Sequence, residues 1–334
     1  MSESEFEAPR HEIPRIVEQY GGPVSSALLD PSCHVFQMPG VDGAIGYRTV
    51  WGAAVAIGDP ACAPEDYGRM ADGFVEFGRQ QGKHIVYAAA GKSFADVAIA
   101  RNYAALEFGE ELILDPVRDP TAGSAGRELR KKIYKATREG VEVVEYQRRA
   151  EAPDRALEEK LEQVAVSWLG ARHGPQIYIA RVELFGTGAR QRWFYAHVGD
   201  KIVGVMSAVH LASRHGYLFD HLLCTPDAPA GITEILVVKA LEKLKEEGAA
   251  MATFGPAPAK ELGRVAGLGT FAESVARGVF NAAGRVFHLD SRTRYRKKFQ
   301  VAQMDPSFVL FEGRSLHLLD LVGLFRAFNV SVAF

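Results

Sequence analysis

Cysteine is scarce in this chain. Cys33, Cys62 and Cys224 are the only three among 334 residues, odd in number and far apart. They build neither a disulfide framework nor a zinc-ligand spacing, so a reducing, cytoplasmic compartment is expected. A surplus of either charge is missing too: 39 lysines and arginines face 41 acids, for a formal charge of −2. The whole molecule therefore exerts no pull on nucleic acid or membrane, and any such pull has to be local. No apolar run approaches the roughly 20 residues that span a bilayer. The N-terminus has no basic stretch followed by an apolar core, so no signal peptide is expected. What is present, 47% apolar and 24% charged residues, is a globular composition with chain enough for two ordinary domains. Only the opening "MSESEFEAPRHE" reads as unpatterned.

Two segments echo each other. Residues 53–91, "AAVAIGDPACAPEDYGRMADGFVEFGRQQGKHIVYAAAG", read as strand, Pro-punctuated loop, helix, glycine stop and strand. Residues 216–258, "GYLFDHLLCTPDAPAGITEILVVKALEKLKEEGAAMATFGPAP", repeat that order, with Gly82 and Gly248 as the two stops. The strands after the stops are apolar enough to lie inside a sheet. Before the second copy, 191–198 and 201–211 read as a hairpin turning at Gly199 and Asp200. After the first, "FADVAIARNYAALEFGEELILD" reads as helix then strand. A repeated α/β unit with mixed sheets and flanking helices is expected. The boundary falls near residue 120, where "DPVRDPTAGSAG" turns to Pro, Gly and Ser.

Between the halves lies "GRELRKKIYKATREG". From Arg127 to Arg138, Arg127, Arg130, Lys131, Lys132, Lys135 and Arg138 stand against Glu128 alone. Leu129, Ile133 and Ala136 mark only a narrow apolar stripe. Like charges at Arg127, Lys131 and Lys135 are spaced four apart, which costs a free helix a few tenths of a kcal/mol per pair. An anion relieves that cost; a solvated charged face is the other reading. A second basic run, "RTRYRKKF", carries Arg292, Arg294, Arg296, Lys297 and Lys298 around Tyr295. Two such runs in a near-neutral chain point to phosphates, of RNA or of lipid headgroups.

The stretches "AAVAIGDPACAPED", "RELRKKIYKATREGVEVVEY", "VSWLGAR", the second repeat and "RYRKKF" together resemble the catalytic domain of phosphatidylglycerol lysyltransferases. They stand in family order from about residue 45 to 312. The resemblance implies two tandem acetyltransferase-like (GNAT) domains joined by a basic helix. On this chain that gives residues 1–120, a bridge at 121–145, a catalytic domain at 146–312 and an apolar C-terminal helix at 313–334. It also implies transfer of an amino acid from aminoacyl-tRNA to a lipid hydroxyl, with the bridging bases on tRNA phosphates. Three departures stand out. No segment matches the membrane flippase that usually precedes this domain in bacterial lysyltransferases. Leu223 stands three residues after Asp220, where the family usually has arginine. The stretch "ARHGPQIYIARVELFGTG" lacks the usual acidic and serine pattern. These bear on the amino acid and the lipid (phosphatidylglycerol, diacylglycerol or a sterol) more than on the reaction.

An aminoacyl-tRNA is an activated ester. Its transfer needs a base or orienting dipole for the hydroxyl, and positive charge where oxygen becomes negative. Neither metal nor cofactor is required beyond the aminoacyl-tRNA co-substrate, and no metal-ligand spacing appears. Asp220 ends an expected inner strand and is a candidate to hold the α-amino group or orient the hydroxyl; a loop-capping aspartate is the plainer reading. His221 is the candidate base, or a merely packed histidine. Glu234, opening the next helix, is a further catalytic candidate, or an acid that merely suits the dipole. Lys298, with Lys297 and Arg296, matches the family's basic pair before phenylalanine and is assigned to a phosphate or the oxyanion; Arg294 joins the lipid-phosphate set. Trp168 reads as core.

Neither repeat has the glycine-rich turn that binds a pyrophosphate: the first offers Asp59 and Pro60, the second Gly231 alone. That argues against coenzyme A, although a helix N-terminus still suits an anion. The tail at 315–334 is apolar but broken by Asp320 and Arg326. It reads as a packed terminal helix or as an interfacial one that brings the protein to a membrane surface. An acyl-CoA-dependent N-acyltransferase and a non-catalytic RNA- or membrane-binding module remain as rival functions.

Overall fold

The computed structural model describes residues 11–50, 52–149, 151–171, 182, 184–185, 191–287, 290–313, 316, 320 and 324. The first half runs α1 (Ile13–Tyr20), β1 (His34–Phe36), β2 (Gly43–Val50), β3 (Ala53–Ile57) and β4 (Ala61–Cys62). It continues with α2 (Tyr67–Gln80), β5 (His84–Gly91), α3 (Lys92–Ala100) and β6 (Ala104–Leu114). The basic segment forms α4 (Arg127–Arg138). Then come β7 (Val141–Tyr146), α5 (Arg155–Gly170), β8 (Gln191–Val198), β9 (Lys201–Leu211), β10 (Gly216–Cys224), α6 (Ile232–Glu246) and β11 (Met251–Pro258). The chain closes with β12 (Val265–Ala266), α7 (Thr270–Phe287), α8 (Asp290–Lys297) and β13 (Gln303–Phe311).

Both echoing segments fold as strand, helix, strand with the two strands parallel. In the first, Ala53 to Ile57 pair with His84 to Ala88; in the second, Gly216 to Leu218 pair with Met251 to Thr253. The helices stop where the sequence has glycine, with positive φ at Gly82 and Gly248. The hairpin of β8 and β9 turns at Gly199 and Asp200. One mixed sheet runs through both repeats in the order β1-β2-β3-β5-β13-β6-β11-β10-β9-β8-β7, with β12 on β6 and β4 on β2. Two features make it continuous. β6 of the first half pairs antiparallel with β11 of the second, and β13 returns to lie between β5 and β6. Residues 303–311, grouped by the sequence with the second half, thus sit among strands of the first.

Apolar periodicity places the cores. Phe74, Phe94 and Tyr87 pack α2 and α3 on the first half of the sheet. In the second half, Ile235, Leu236 and Leu241 of α6 pack with Phe194, Met206, Phe219 and Phe254 on one face. Leu161 and Val164 of α5 pack with Val205 and Leu223 on the other. The stripe of α4, Leu129, Ile133 and Ala136, lies against α6. Leu316 and Leu324 join a further core with Val309 and Phe311, and Asp320 is buried. The rest of the C-terminal helix expected at 313–334 lies outside the described residues, as does most of 171–188.

Candidate active site

The sheet opens inside the second repeat. Parallel pairing of β10 with β11 ends at Leu218 and Thr253; beyond it β10 stays with β9, while Pro256 to Pro258 of β11 pair with β6. Just past that point β10 bulges. Phe219 is opposite Ala208 and Leu222 is opposite Met206, so Asp220 and His221 share Ser207 as their one counterpart. Bulges of this kind break the alternation of a strand and re-aim its side chains. The main-chain N–H of His221 donates to Ser207 Oγ at 3.2 Å, and His221 Nδ1 lies 3.1 Å from that oxygen and 3.1 Å from Asp220 Oδ2.

Burial alone would lower the His221 pKa, but the Asp220 charge and hydrogen bond outweigh it and the net shift is upward. Burial likewise opposes ionisation of Asp220, yet His221 holds its carboxyl below the ordinary range. The pair is half-sheltered, with 27% of the Asp220 side chain and 13% of the His221 side chain exposed. A carboxylate on Nδ1 leaves Nε2 as the basic edge of the neutral ring.

A second cluster forms at the start of α6. Glu234, 3% exposed, accepts from Lys132 Nζ of α4 at 2.9 Å and from Lys298 Nζ beyond α8 at 2.6 Å, both on Oε1. Its Oε2 accepts from Thr233 Oγ1 at 2.9 Å. Burial would raise this carboxyl, but the two lysines bring it down to about 2. Lys298 is displaced downward by burial, which pairing with Glu234 does not fully offset, and its ammonium sits 3.7 Å above the Tyr295 ring. Two cations on one anion leave a surplus positive charge beside the N-terminus of α6. Gly231 caps that helix at φ +101 with no side-chain cap. Only glycine fits there, because a Cβ would run into the carbonyl oxygen of Lys132.

The four candidate catalytic residues therefore fall into two groups, on opposite faces of the sheet. Met206 and Ala208 flank Ser207 and face the core under α6, so Ser207, with His221 against it, points the other way. Glu234, Lys298 and Lys132 lie on the α6 face. Of the six bases of α4, Lys132 reaches this cluster. Arg130 turns back onto the carbonyls of Thr121 and Gly123, Lys131 meets Glu128 at 3.3 Å, and Lys135 lies 3.8 Å from Glu139. Arg138 stands 5.8 Å from the ring centre of exposed Tyr134, and Arg127 is exposed.

Around α8, Arg296 donates to the carbonyls of Gly255 (2.9 Å) and Pro256 (3.4 Å), holding the irregular end of β11; Lys297 reaches Glu110 at 3.6 Å; Arg294 is exposed. Trp168 packs beside the α5 core. Asp59 accepts from the Gly91 N–H at 2.8 Å, and burial raises its pKa to about 6. Sequence reasoning missed Ser207. Its one signal was a lone hydroxyl within the apolar run "VGVMSAV".

Among the described residues no cluster of three or more His, Cys, Asp or Glu side chains is placed to hold a metal ion. No helix among them is long and apolar enough to cross a membrane. The family model described as phosphatidylglycerol lysyltransferase, C-terminal, matches residues 15–311, from α1 through β13. The chain belongs to that family. A phosphatidylglycerol lysyltransferase of Staphylococcus epidermidis is 22% identical over 318 residues, covering 92% of this chain and 37% of that protein. The chain thus spans little over a third of that relative. The structure of L-PGS from Bacillus licheniformis is similar with a TM-score of 0.81 at 18% identity, covering 98% of each chain. The C-terminal domain of a putative lysylphosphatidylglycerol synthetase from Agrobacterium fabrum gives 0.78, also at 18% identity, with 96% of each covered. At these identities the likeness is one of fold.

Proposed function

We propose that this chain transfers an amino acid from aminoacyl-tRNA to the hydroxyl of a lipid, with no metal or cofactor. The observation that carries the reading is the Asp220–His221 pair, raised out of the strand by the bulge where the sheet opens. With Nδ1 held by Asp220, His221 Nε2 takes the proton of the lipid hydroxyl as its oxygen attacks the ester carbonyl carbon. The tetrahedral intermediate then expels the ribose oxygen of the tRNA, which recovers the proton from His221. One ester bond forms and one breaks, so no other reactant is consumed. The surplus charge of Lys132 and Lys298 suits a phosphodiester near the tRNA 3′ end, and the outward bases of α4 suit the acceptor arm. In this reading donor and acceptor approach from the two faces of the sheet and meet where β10 and β11 part. The two repeats act as tandem acetyltransferase-like units, and the protein works peripherally at a membrane surface.

The test is direct. Purified protein, charged tRNAs and lipid vesicles are combined, and the lipids are separated by thin-layer chromatography. A base-labile, ninhydrin-positive lipid is expected, formed only when charged tRNA is present, and its hydrolysate names the amino acid. Charged tRNAs that stay intact in the presence of every hydroxyl lipid would refute the proposal. Acetyl-CoA with an amine acceptor, run in parallel, tests the N-acyltransferase alternative.

A further inference from the structure

Ser207 is fully buried at the middle of β9, and its side chain faces the bulge of β10. It makes two contacts there, both with His221: it accepts the main-chain N–H at 3.2 Å and touches Nδ1 at 3.1 Å. We propose that Ser207 is a positioning residue, whose hydroxyl pins the bulge and fixes the His221 ring with Nδ1 toward Asp220 and Nε2 free.

Three observations support this assignment. Adjacent residues of a regular strand point to opposite faces, so Asp220 and His221 meet at 3.1 Å only because the bulge turns them together. The bulge has Ser207 as its sole opposing residue. Ser207 has no solvent exposure, so removing its hydroxyl takes away a buried acceptor of the His221 main-chain N–H. The ring orientation follows from the acceptors. An ionised carboxylate has no proton to share, so the hydrogen between Asp220 Oδ2 and Nδ1 belongs to the ring. Ser207 Oγ, anchored by the main-chain N–H, lies at the same distance from Nδ1 and keeps the ring from turning over. Asp220, more exposed and on the same strand, provides charge but no fixed support from across the sheet.

The inference rests on His221 as the base of the proposed reaction, and its test separates the two claims. Protein labelled with ¹⁵N-histidine is examined by long-range ¹H–¹⁵N correlation, with the His221 signals identified by their loss in His221→Gln. The neutral ring of the wild type is expected as the Nδ1–H tautomer. Ser207→Ala is expected to mix the tautomers and to lower the pH at which His221 titrates, and Ser207→Thr, which keeps the hydroxyl, to restore both. In the transfer assay Ser207→Ala should lower kcat by about tenfold with KM for charged tRNA unchanged, the signature of a group that acts in the transition state. Ser207→Thr should recover most of that loss.

A folded Ser207→Ala protein with wild-type tautomer and titration would overturn the proposal. So would an Nε2–H tautomer in the wild type, a result that stands even if the alanine variant fails to fold. If the ring behaves as expected while His221→Gln retains full turnover, Ser207 positions the ring but His221 is not the base.

Discussion

Charge at single residues sets how the site responds to pH. As the proposed base His221 has to be neutral to accept a proton, and Asp220 raises its pKa above the ordinary 6.5. Lipid-dependent turnover should therefore rise with pH through a midpoint above that value. Asp220→Asn removes the raising charge while burial remains, so the midpoint of kcat/KM should fall below 6.5; an unmoved midpoint would count against the pair. Glu234 works in the other direction. Its carboxyl titrates near 2 in the folded chain against 4.5 when free, so its contribution to stability is complete above 4.5 and lost as pH falls toward 2. Glu234→Gln leaves Lys132 and Lys298 without their shared anion and should cost about 3 kcal/mol at neutral pH. Urea unfolding across that acid range should also show a shallower pH dependence than the wild type.

Among the elements, α4 carries the clearest division of labour. Its apolar stripe and Lys132 face α6, while Lys131, Lys135 and Arg138 stay in water. Reversing the charge of those three should change stability by no more than about 0.5 kcal/mol per residue, since exposed positions and exposed ion pairs contribute little. Binding of charged tRNA should weaken, and its logarithmic salt slope should fall by roughly 0.7–0.9 for each phosphate that is no longer neutralised. Unchanged affinity and slope in filter binding would place the nucleic acid elsewhere. Gly231→Ala tests the seating of α4 itself. Its φ of +101 and the Lys132 carbonyl leave no place for a Cβ, so a loss of about 2–3 kcal/mol is expected, read as a lower Tm.

The whole molecule is tied together by one sheet. Because β6 pairs with β11 and β13 returns between β5 and β6, the two repeats should unfold together. Tryptophan fluorescence and far-UV circular dichroism should trace the same urea transition, whereas two separated transitions would show independent halves. Removing residues 303–334 leaves β5 and β6 with facing, unpaired edges, and aggregation is the expected outcome. The repeats, the β8–β9 hairpin and the helix stops were legible in the sequence because each depends on a local signal: alternation, a Gly-Asp turn, a glycine after an apolar run. Asp220, His221, Glu234 and Lys298 could be named as candidates from residue type, place in the chain and the family resemblance. Their grouping was not legible. Glu234 meets Lys298 across 64 positions and Lys132 across 102, and Ser207 meets His221 across 14 only because β10 gains one residue against β9. The sequence by itself determined the strands and helices of the two repeats and their hairpin, and where the cations lie along the chain. Only tertiary structure decided the strand register and the face on which each side chain emerges, because both are set by how the whole sheet packs, and no short window of sequence contains both partners of such a pairing.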